Sequence, residues 1–249
     1  SRINGPWSFY REPSELKSSI PRLKTWEADG IIMRNSQIKK ELLDMKLPTI
    51  LVVHDSNRPD YLPAVITDAK GISKMASEHL ISMGLRKFAF CGFDNYEWSN
   101  ERKLHFKKFI EEAGYKIYLY EQSTKKKIQN WKNEQSQVLN WINSLPKPIG
   151  IMACNDDRGQ HILEVCKLSG LKVPEDVAVI GVDNDPMVCE LGDPPLTSIA
   201  LNTEPAGYAT AQLLNDLMNG EKMCGQEIVV SATHLIQRQS TDHFAVHDE

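Results

Sequence analysis

The chain lacks the features of a membrane-spanning or secreted protein. None of its apolar runs reaches the roughly 20 residues that a membrane helix needs, and residues 1–7 lack the apolar core of a signal peptide. Its five cysteines are an odd number without C-x-x-C spacing, which disfavours a zinc site and a disulfide framework. We therefore expect a reduced, cytoplasmic protein whose cysteines pack as small apolar side chains.

Positive charge and catalytic motifs are also scarce. The net charge is −4, and the lysine run at residues 125–127 is interpreted as a solvated loop. There is no G-x-G-x-x-G after a strand, no P-loop, no G-x-S-x-G elbow and no H-E-x-x-H. His243 and His247 are four residues apart, but they lie in a polar tail that is atypical of a metal site. We expect no enzyme activity, no cofactor, no metal site and no DNA binding by this chain itself.

What the sequence does contain is a regular alternation of short apolar runs and helical patterns. This alternation predicts an α/β fold with parallel sheets and right-handed crossovers. In residues 71–83 the apolar side chains recur at spacings of three and four, which predicts an amphipathic helix. The predicted strands are residues 7–10, 30–33, 49–53, 64–67, 87–91, 116–120, 150–153, 177–182 and 198–201, with edge strands within 226–238. The predicted helices include residues 71–83, 100–113, 136–144 and 158–169.

The most informative segment is the apolar run at residues 177–182, which ends abruptly in Asp183, Asn184, Asp185 and Pro186. Such a run is typical of a strand buried on both faces, and ligands of open α/β sheets bind beyond the carboxyl ends of such strands. We therefore expect Asp183 to reach a ligand without an unusual backbone conformation. The alternative is that Asp183 and Asp185 only shape the turn and cap the next helix.

Polar side chains follow other predicted strands in the same way. Asn155 and Asp156 follow residues 150–153, Asp68 follows Thr67, and Trp98 comes soon after residues 87–91. Carboxylates and amides match sugar hydroxyls, and an aromatic ring stacks on the apolar face of a sugar, so a carbohydrate or other polyol is the expected ligand. The alternatives are helix capping for Asn155 and Asp156 and core packing for Trp98.

Several segments resemble the lactose-repressor and periplasmic sugar-binding-protein superfamily. Residues 171–184 are similar to its "V-P-x-D … V-I-G-hydrophobic-D" signature. Agreement in order and spacing extends to residues 149–156, 101–114 and 29–32, and the resemblance covers the chain to about Thr241. Within the superfamily, residues 98–102 and 238–242 resemble most closely the sugar-sensing domain of xylose-operon regulators.

The resemblance implies a set of ligand-binding residues. Asp183 would accept hydrogen bonds from two sugar hydroxyls, and Arg102 would donate hydrogen bonds through its guanidinium. At two places the sequence departs from the family pattern. The family usually has an acidic residue at the position of Val53 and a glutamine at the position of Leu201. The full set that the resemblance implies, with neighbouring residues as substitutes at those two places, is Asp183, Arg102, Asn155, Asp156, Trp98, Thr67, His54, Asp55 and Asn202.

The resemblance also implies two doubly wound parallel-sheet lobes with a ligand cleft between them. We expect residues 1–86 and 203–222 in an amino-terminal lobe, 87–202 and 223–240 in a carboxyl-terminal lobe, and 241–249 as a tail or linker. The implied function is sugar sensing, for a pentose such as xylose, in a homodimeric transcriptional regulator whose DNA-binding domain is absent from this chain. A secreted sugar-binding protein of a transporter and an α/β sugar hydrolase are the alternatives.

Overall fold

The computed structural model describes residues 7–10, 27–34, 43–52, 59–122, 131–221 and 225–242. The chain divides into two compact units. The first comprises residues 1–67 and 202–230, and the second comprises residues 68–201 and 231–249. Each unit is built from segments that are separate in sequence.

The second unit contains a six-stranded sheet with the strand order β10-β8-β7-β6-β4-β5. Five strands are parallel, and β10 pairs antiparallel with β8 at one edge. The strands are β4 (Phe88–Cys91), β5 (Ile117–Leu119), β6 (Ile149–Ala153), β7 (Val177–Asp183), β8 (Thr197–Leu201) and β10 (Ala232–Ile236). The helices are α1 (Ala69–Ser82), α2 (Glu97–Glu112), α3 (Trp131–Ser144), α4 (Asp156–Ser169) and α5 (Pro186–Glu190), followed by a 3₁₀ turn at Gln239–Thr241.

This sheet is buried on both faces, as the continuous apolar run of β7 predicts. Val177 and Val179 belong to one hydrophobic core with residues of α3 and α4, whereas Ile180 and Val182 belong to a second core with residues of α1 and α2. The helices thus cover both faces, and this unit has the predicted doubly wound arrangement of a parallel α/β sheet.

The first unit contains a smaller parallel sheet with the strand order β1-β2-β3-β9. Among the described residues, its strands are β1 (Ile31–Arg34), β2 (Thr49–Val52), β3 (Ala64–Thr67) and β9 (Glu227–Val230), and α6 (Thr203–Met218) is a helix of this unit. A Cβ atom on Gly30 would lie 2.9 Å from a methyl group of Leu214, so glycine at this position lets α6 pack closely against the start of β1. Leu51 and Ala64 form the buried centre of a small apolar cluster.

The structure corrects one predicted strand. Residues 7–10 form no strand, and Phe9 and Tyr10 are exposed. Trp7 and Phe9 stack on each other at 6.0 Å instead of pairing with a neighbouring strand. The apolar composition of this segment was misleading because a strand also requires a ladder of backbone hydrogen bonds.

The unit boundary also differs from the predicted lobe boundary. The sequence predicts residues 68–86 in the amino-terminal lobe and residues 223–230 in the carboxyl-terminal lobe, whereas residues 68–86 group with the second unit and residues 225–230 with the first. In the structure, α1 contacts α2 and the strands β7, β8 and β10 of the second unit. Its buried residues Ile72, Ala76 and Leu80 contribute to the same core as Phe106 of α2, and therefore the helix groups with the second unit.

Candidate functional site

The candidate site lies at the carboxyl edge of the sheet of the second unit. Strands β4, β6 and β7 are parallel, so their carboxyl ends lie at the same edge. Asp183 ends β7, and Asn155 is the second residue after the end of β6. Helix α2 follows β4 and carries Trp98 and, one turn later, Arg102. The order of elements along the chain therefore brings these four predicted residues to one place.

Arg102 is a buried cation that is fixed in place by several groups. Its residue exposure is 3%, and one Nη donates a hydrogen bond to the carbonyl oxygen of Cys154. The other Nη lies 3.6 Å from Oδ1 of Asp183. The Arg102 carbonyl accepts a hydrogen bond from the hydroxyl of Ser73 at 3.0 Å. Nε of Arg102 has no hydrogen-bond partner within the described ranges, so the guanidinium keeps donor capacity that the protein does not consume.

Asp183 differs from Arg102 in exposure. The Asp183 side chain is 45% exposed, and that of Arg102 is 4% exposed. Desolvation raises the pKa of Asp183 and lowers the pKa of Arg102, and the attraction between the two charges opposes both shifts. Because arginine stays protonated at neutral pH, the site presents a solvent-accessible carboxylate beside a buried positive charge.

The backbone at Asp183 corrects a further expectation. We expected Asp183 to need no unusual conformation, but its φ is +104°, and φ of Asn184 is +52°. Asparagine tolerates the left-handed region, whereas a φ of +104° is strained for a residue with a Cβ atom. The strand pattern could not reveal this conformation, because the hydrogen bonds that hold the turn are made with residues that are distant in sequence.

Trp98 lies beside Arg102 within an aromatic cluster. The guanidinium carbon of Arg102 lies 5.1 Å from the centre of the Trp98 ring, a cation–π distance. The Trp98 ring also lies 6.4 Å from that of Phe93 and 5.9 Å from that of Tyr96. Trp98 is partly buried and Tyr96 is exposed. The cluster therefore flanks the ion pair with an apolar surface that is partly open to solvent.

Asn155 makes the helix-capping contact that the alternative interpretation predicted, whereas Asp156 binds groups of other elements. Asn155 caps α4, where its Oδ1 accepts a hydrogen bond from the amide of Arg158 at 3.1 Å. Both carboxylate oxygens of Asp156 accept hydrogen bonds, from the Ser198 hydroxyl at 2.5 Å and from the Asp185 amide at 2.8 Å. Burial raises the pKa of Asp156 to about 6, against the lowering effect of these hydrogen bonds.

The other predicted residues are not in the second unit. Thr67 is the last residue of β3, and Asn202 precedes the first turn of α6; both belong to the first unit. His54 and Asp55 lie outside the described residues. Their contribution to ligand binding stays a prediction.

Sequence reasoning missed a buried ion pair next to this edge. Arg158 of α4 is fully buried, and its Nη2 lies 3.1 Å from Oε1 of Glu134 on α3 and 3.1 Å from the carbonyl oxygen of Gly92. The Arg158 guanidinium carbon lies 4.0 Å from the centre of the Phe93 ring. Glu134 also accepts a hydrogen bond from Gln122. No local spacing could have predicted a pairing between two residues that lie on different helices.

Three further observations concern metal binding, membrane spans and the cysteines. Within the part of the chain that the structure describes, no group of three histidine, cysteine, aspartate or glutamate side chains could hold a metal ion. No helix among the described residues is long and apolar enough to span a membrane. The four described cysteines (Cys91, Cys154, Cys166 and Cys189) are free and buried, as predicted.

Comparison with known proteins identifies relatives along almost the whole chain. The chain is 36% identical to a xylose operon regulatory protein of Haemophilus influenzae, over 97% of this chain and 64% of the relative. It is 32% identical to a xylose operon regulatory protein of Escherichia coli, over 97% of this chain and 63% of the relative. The chain thus spans just under two thirds of the length of these curated relatives.

The fold comparison agrees. The solved structure of a xylose-binding transcription activator matches with a TM-score of 0.77 and 32% identity, over 88% of this chain and 60% of that one. Residues 77–241 match the family model of the periplasmic binding protein-like domain. This match covers most residues of both hydrophobic cores of the second unit, and it includes Arg102 and Asp183. The chain therefore belongs to the family of periplasmic binding protein-like domains.

Proposed function

We propose that this chain is the sugar-sensing effector domain of a transcriptional regulator and that it binds a pentose such as D-xylose. The observation that carries this proposal is the pairing of the half-exposed carboxylate of Asp183 with the buried guanidinium of Arg102, 3.6 Å away. A carboxylate accepts hydrogen bonds from sugar hydroxyls, and a guanidinium donates to ring and hydroxyl oxygens. The aromatic cluster around Trp98 supplies an apolar surface for the faces of the sugar ring.

The names of the relatives support the regulatory part of the proposal. Two relatives at 32–36% identity are xylose operon regulatory proteins, and the matching structure is of a xylose-binding transcription activator. We propose that the chain is likewise a binding domain and not an enzyme, that it acts in the cytoplasm, and that DNA contact belongs to a different domain. Sugar binding would change the balance between conformations of the regulator by its differential affinity for them.

The direct test is calorimetric titration of the chain with D-xylose, with D-ribose, L-arabinose and D-glucose as comparison ligands. Hydrogen bonds to a charged group contribute roughly 1.5–3 kcal/mol each, so loss of two of them in Asp183→Ala should weaken D-xylose binding by about a hundredfold or more. Arg102→Lys should also weaken binding, because a point charge does not replace a planar guanidinium.

Matched control variants make the result specific. Asp193→Asn changes an exposed aspartate that pairs with Lys167, and Arg86→Lys changes an arginine that lies 5.6 Å from the Tyr115 ring. Both controls should bind D-xylose like the wild-type chain. Unchanged affinity in Asp183→Ala would make Asp183 a turn residue and overturn the assignment of the site, and a wild-type chain that binds none of the four sugars would overturn the proposed ligand class.

A further inference from the structure

The turn that follows β7 is held in its strained conformation by buried side chains. Asp183 and Asn184 have φ values of +104° and +52°, so two consecutive residues with side chains occupy the region that favours glycine. Such a conformation persists only where surrounding contacts over-determine it. The contacts that do so here are on the backbone amides of the two residues after Asp183.

Asp156 and Ser198 together bind these two amides. The Asn184 amide donates to Oγ of Ser198 at 3.0 Å, and the Asp185 amide donates to Oδ2 of Asp156 at 2.8 Å. The Ser198 hydroxyl in turn donates to Oδ1 of Asp156 at 2.5 Å. The three hydrogen bonds form one connected network, which we call the turn clamp. It joins the first turn of α4 and the second residue of β8 to the end of β7.

Burial and close packing fix the turn clamp. Asp156 is 3% exposed and Ser198 is fully buried. A Cβ atom on Gly181 would lie 2.3 Å from Oδ1 of Asp156, so the carboxylate lies directly against the backbone of β7. Because both oxygens of Asp156 already accept hydrogen bonds from the protein, the carboxylate is not placed as a free acceptor for a ligand hydroxyl.

We infer that Asp156 is a positioning residue that acts on ligand affinity through Asp183, and not a residue that contacts the ligand. The turn clamp holds the backbone of residues 183–185 in the conformation that directs the Asp183 carboxylate to Arg102. The family resemblance implied a ligand contact for Asp156, and the positioning role replaces it. Only the affinity measurement depends on the proposed sugar-binding function.

The affinity test is a double-mutant cycle on D-xylose binding between Asp156→Ala and Asp183→Asn. When two residues act through one another, the effects of their substitutions on the binding free energy are not additive. The effects at two independent ligand contacts are additive. We expect Asp156→Ala to weaken binding by about tenfold or more in the wild-type background and by less than about twofold in the Asp183→Asn background. Equal losses in both backgrounds would mean that Asp156 contacts the sugar directly, and would overturn the inference.

The conservative variant Asp156→Asn separates positioning from folding. Its amide oxygen can still accept from the Asp185 amide, and its amide nitrogen can donate to Ser198, so the turn clamp keeps its shape. Affinity should therefore be restored to within about threefold of the wild-type value, because only the charge has been removed. A loss as large as that of Asp156→Ala would assign the effect to the charge of Asp156 and contradict a positioning role.

A second measurement needs no sugar. Hydrogen exchange in a peptide that covers residues 182–187 should become about tenfold faster in Asp156→Ala and stay near the wild-type rate in Asp156→Asn, because the clamp protects the amides of Asn184 and Asp185. A peptide from β4 serves as the internal control for global unfolding. If Asp156→Ala does not fold, Ser198→Ala removes the partner of the Asn184 amide and takes its place in both measurements. Unchanged exchange in the turn overturns the inference even if the wild-type chain binds no sugar.

Discussion

At the scale of single residues, Asp156 is a carboxyl group on which burial and hydrogen bonding act in opposite directions. Burial raises its pKa to about 6 from an ordinary value of 3.8, although the hydrogen bonds from Ser198 and Asp185 lower it. The folded protein therefore binds this proton more tightly than the unfolded chain does. The protonated form can still accept from the Asp185 amide with one oxygen while it donates to Ser198 with the other.

This shift predicts how stability depends on pH. Because the folded-state pKa is above the unfolded-state value, the contribution of Asp156 to the free energy of unfolding is fully present below pH 3.8 and is lost as the pH rises through about 6. Asparagine has no such dependence. The stability of the wild-type chain relative to Asp156→Asn should therefore fall between about pH 4 and 7, by on the order of 3 kcal/mol.

Urea unfolding of both proteins at a series of pH values measures this difference directly, and changes common to both proteins cancel. A difference that stays constant, or that grows as the pH rises, would contradict a raised pKa for Asp156.

The position of Asp183 could be predicted from sequence, but its conformation could not. An apolar run that stops at a carboxylate indicates the carboxyl end of a buried strand, and Asp183 is the last residue of β7. Its positive φ lies in a turn whose Asn184 and Asp185 amides donate to Ser198 and Asp156, which are 14 and 29 residues away from their donors in the chain. A side chain that serves as a hydrogen-bond partner across such a distance leaves no pattern within a local window.

At the scale of elements, α3 and α4 are joined by an ion pair that is almost completely buried. The side-chain exposure of Arg158 is 0% and that of Glu134 is 4%. Arg158 also donates to the carbonyl oxygen of Gly92, and Glu134 accepts from Gln122. The pair thus connects two helices to the segments that follow β4 and β5.

Removal of one partner of the Arg158–Glu134 pair should lower the free energy of unfolding much more than replacement of both partners. Glu134→Ala leaves a buried arginine without its counter-charge, and we expect a loss of about 3–5 kcal/mol in the free energy of unfolding. The double variant Glu134→Leu with Arg158→Met removes both charges and should be much closer to the wild-type stability.

The matched control is Asp193→Ala, which breaks an exposed ion pair with Lys167 and should cost about 1 kcal/mol or less. Urea unfolding of the variants provides the comparison. If the double variant is as unstable as Glu134→Ala, the ion pair itself is a net source of stability, and the argument from desolvation is wrong.

Sequence periodicity predicted the elements better than their ends. The predicted helix at residues 71–83 corresponds to α1, and the three glycines that follow predicted helices (Gly84, Gly114 and Gly170) all have positive φ. Helix α2 begins at Glu97 and α3 at Trp131, three and five residues before the predicted starts. Apart from one tryptophan each, the first turns of these helices are polar, so they carry little of the apolar periodicity on which the prediction depends.

At the scale of the whole molecule, the net charge does not favour binding to DNA. The net charge is −4, and neutralisation of phosphates supplies much of the affinity of proteins for duplex DNA. The aligned region covers 63–64% of the curated relatives, so more than a third of each relative's own length lies outside it.

Under the proposed function, we expect the chain and the full product of its gene to differ in DNA binding. The chain alone should not bind the DNA upstream of its gene more tightly than a scrambled fragment, with or without D-xylose. The full-length product should bind it specifically, and D-xylose should change that affinity by about 5- to 150-fold, the usual range of coupling between linked sites.

A mobility-shift titration of both proteins tests the prediction. Specific binding by the chain alone would contradict a pure sensing role. A full-length product that binds D-xylose but no DNA would instead support the secreted sugar-binding protein of a transporter.

The discontinuous make-up of the two units has a consequence for the order of folding during synthesis. The central strands β4 to β8 of the second unit come from one uninterrupted stretch, whereas β3 of the first unit pairs with β9, and Ala64 and Glu227 are separated by about 160 residues. Closing so long a loop is slow and entropically costly, and β9 leaves the ribosome after β4 to β8. The first unit therefore lacks β9 until β4 to β8 of the second unit have been synthesised, and until then the open edge of β3 is available to chaperones or to aggregation.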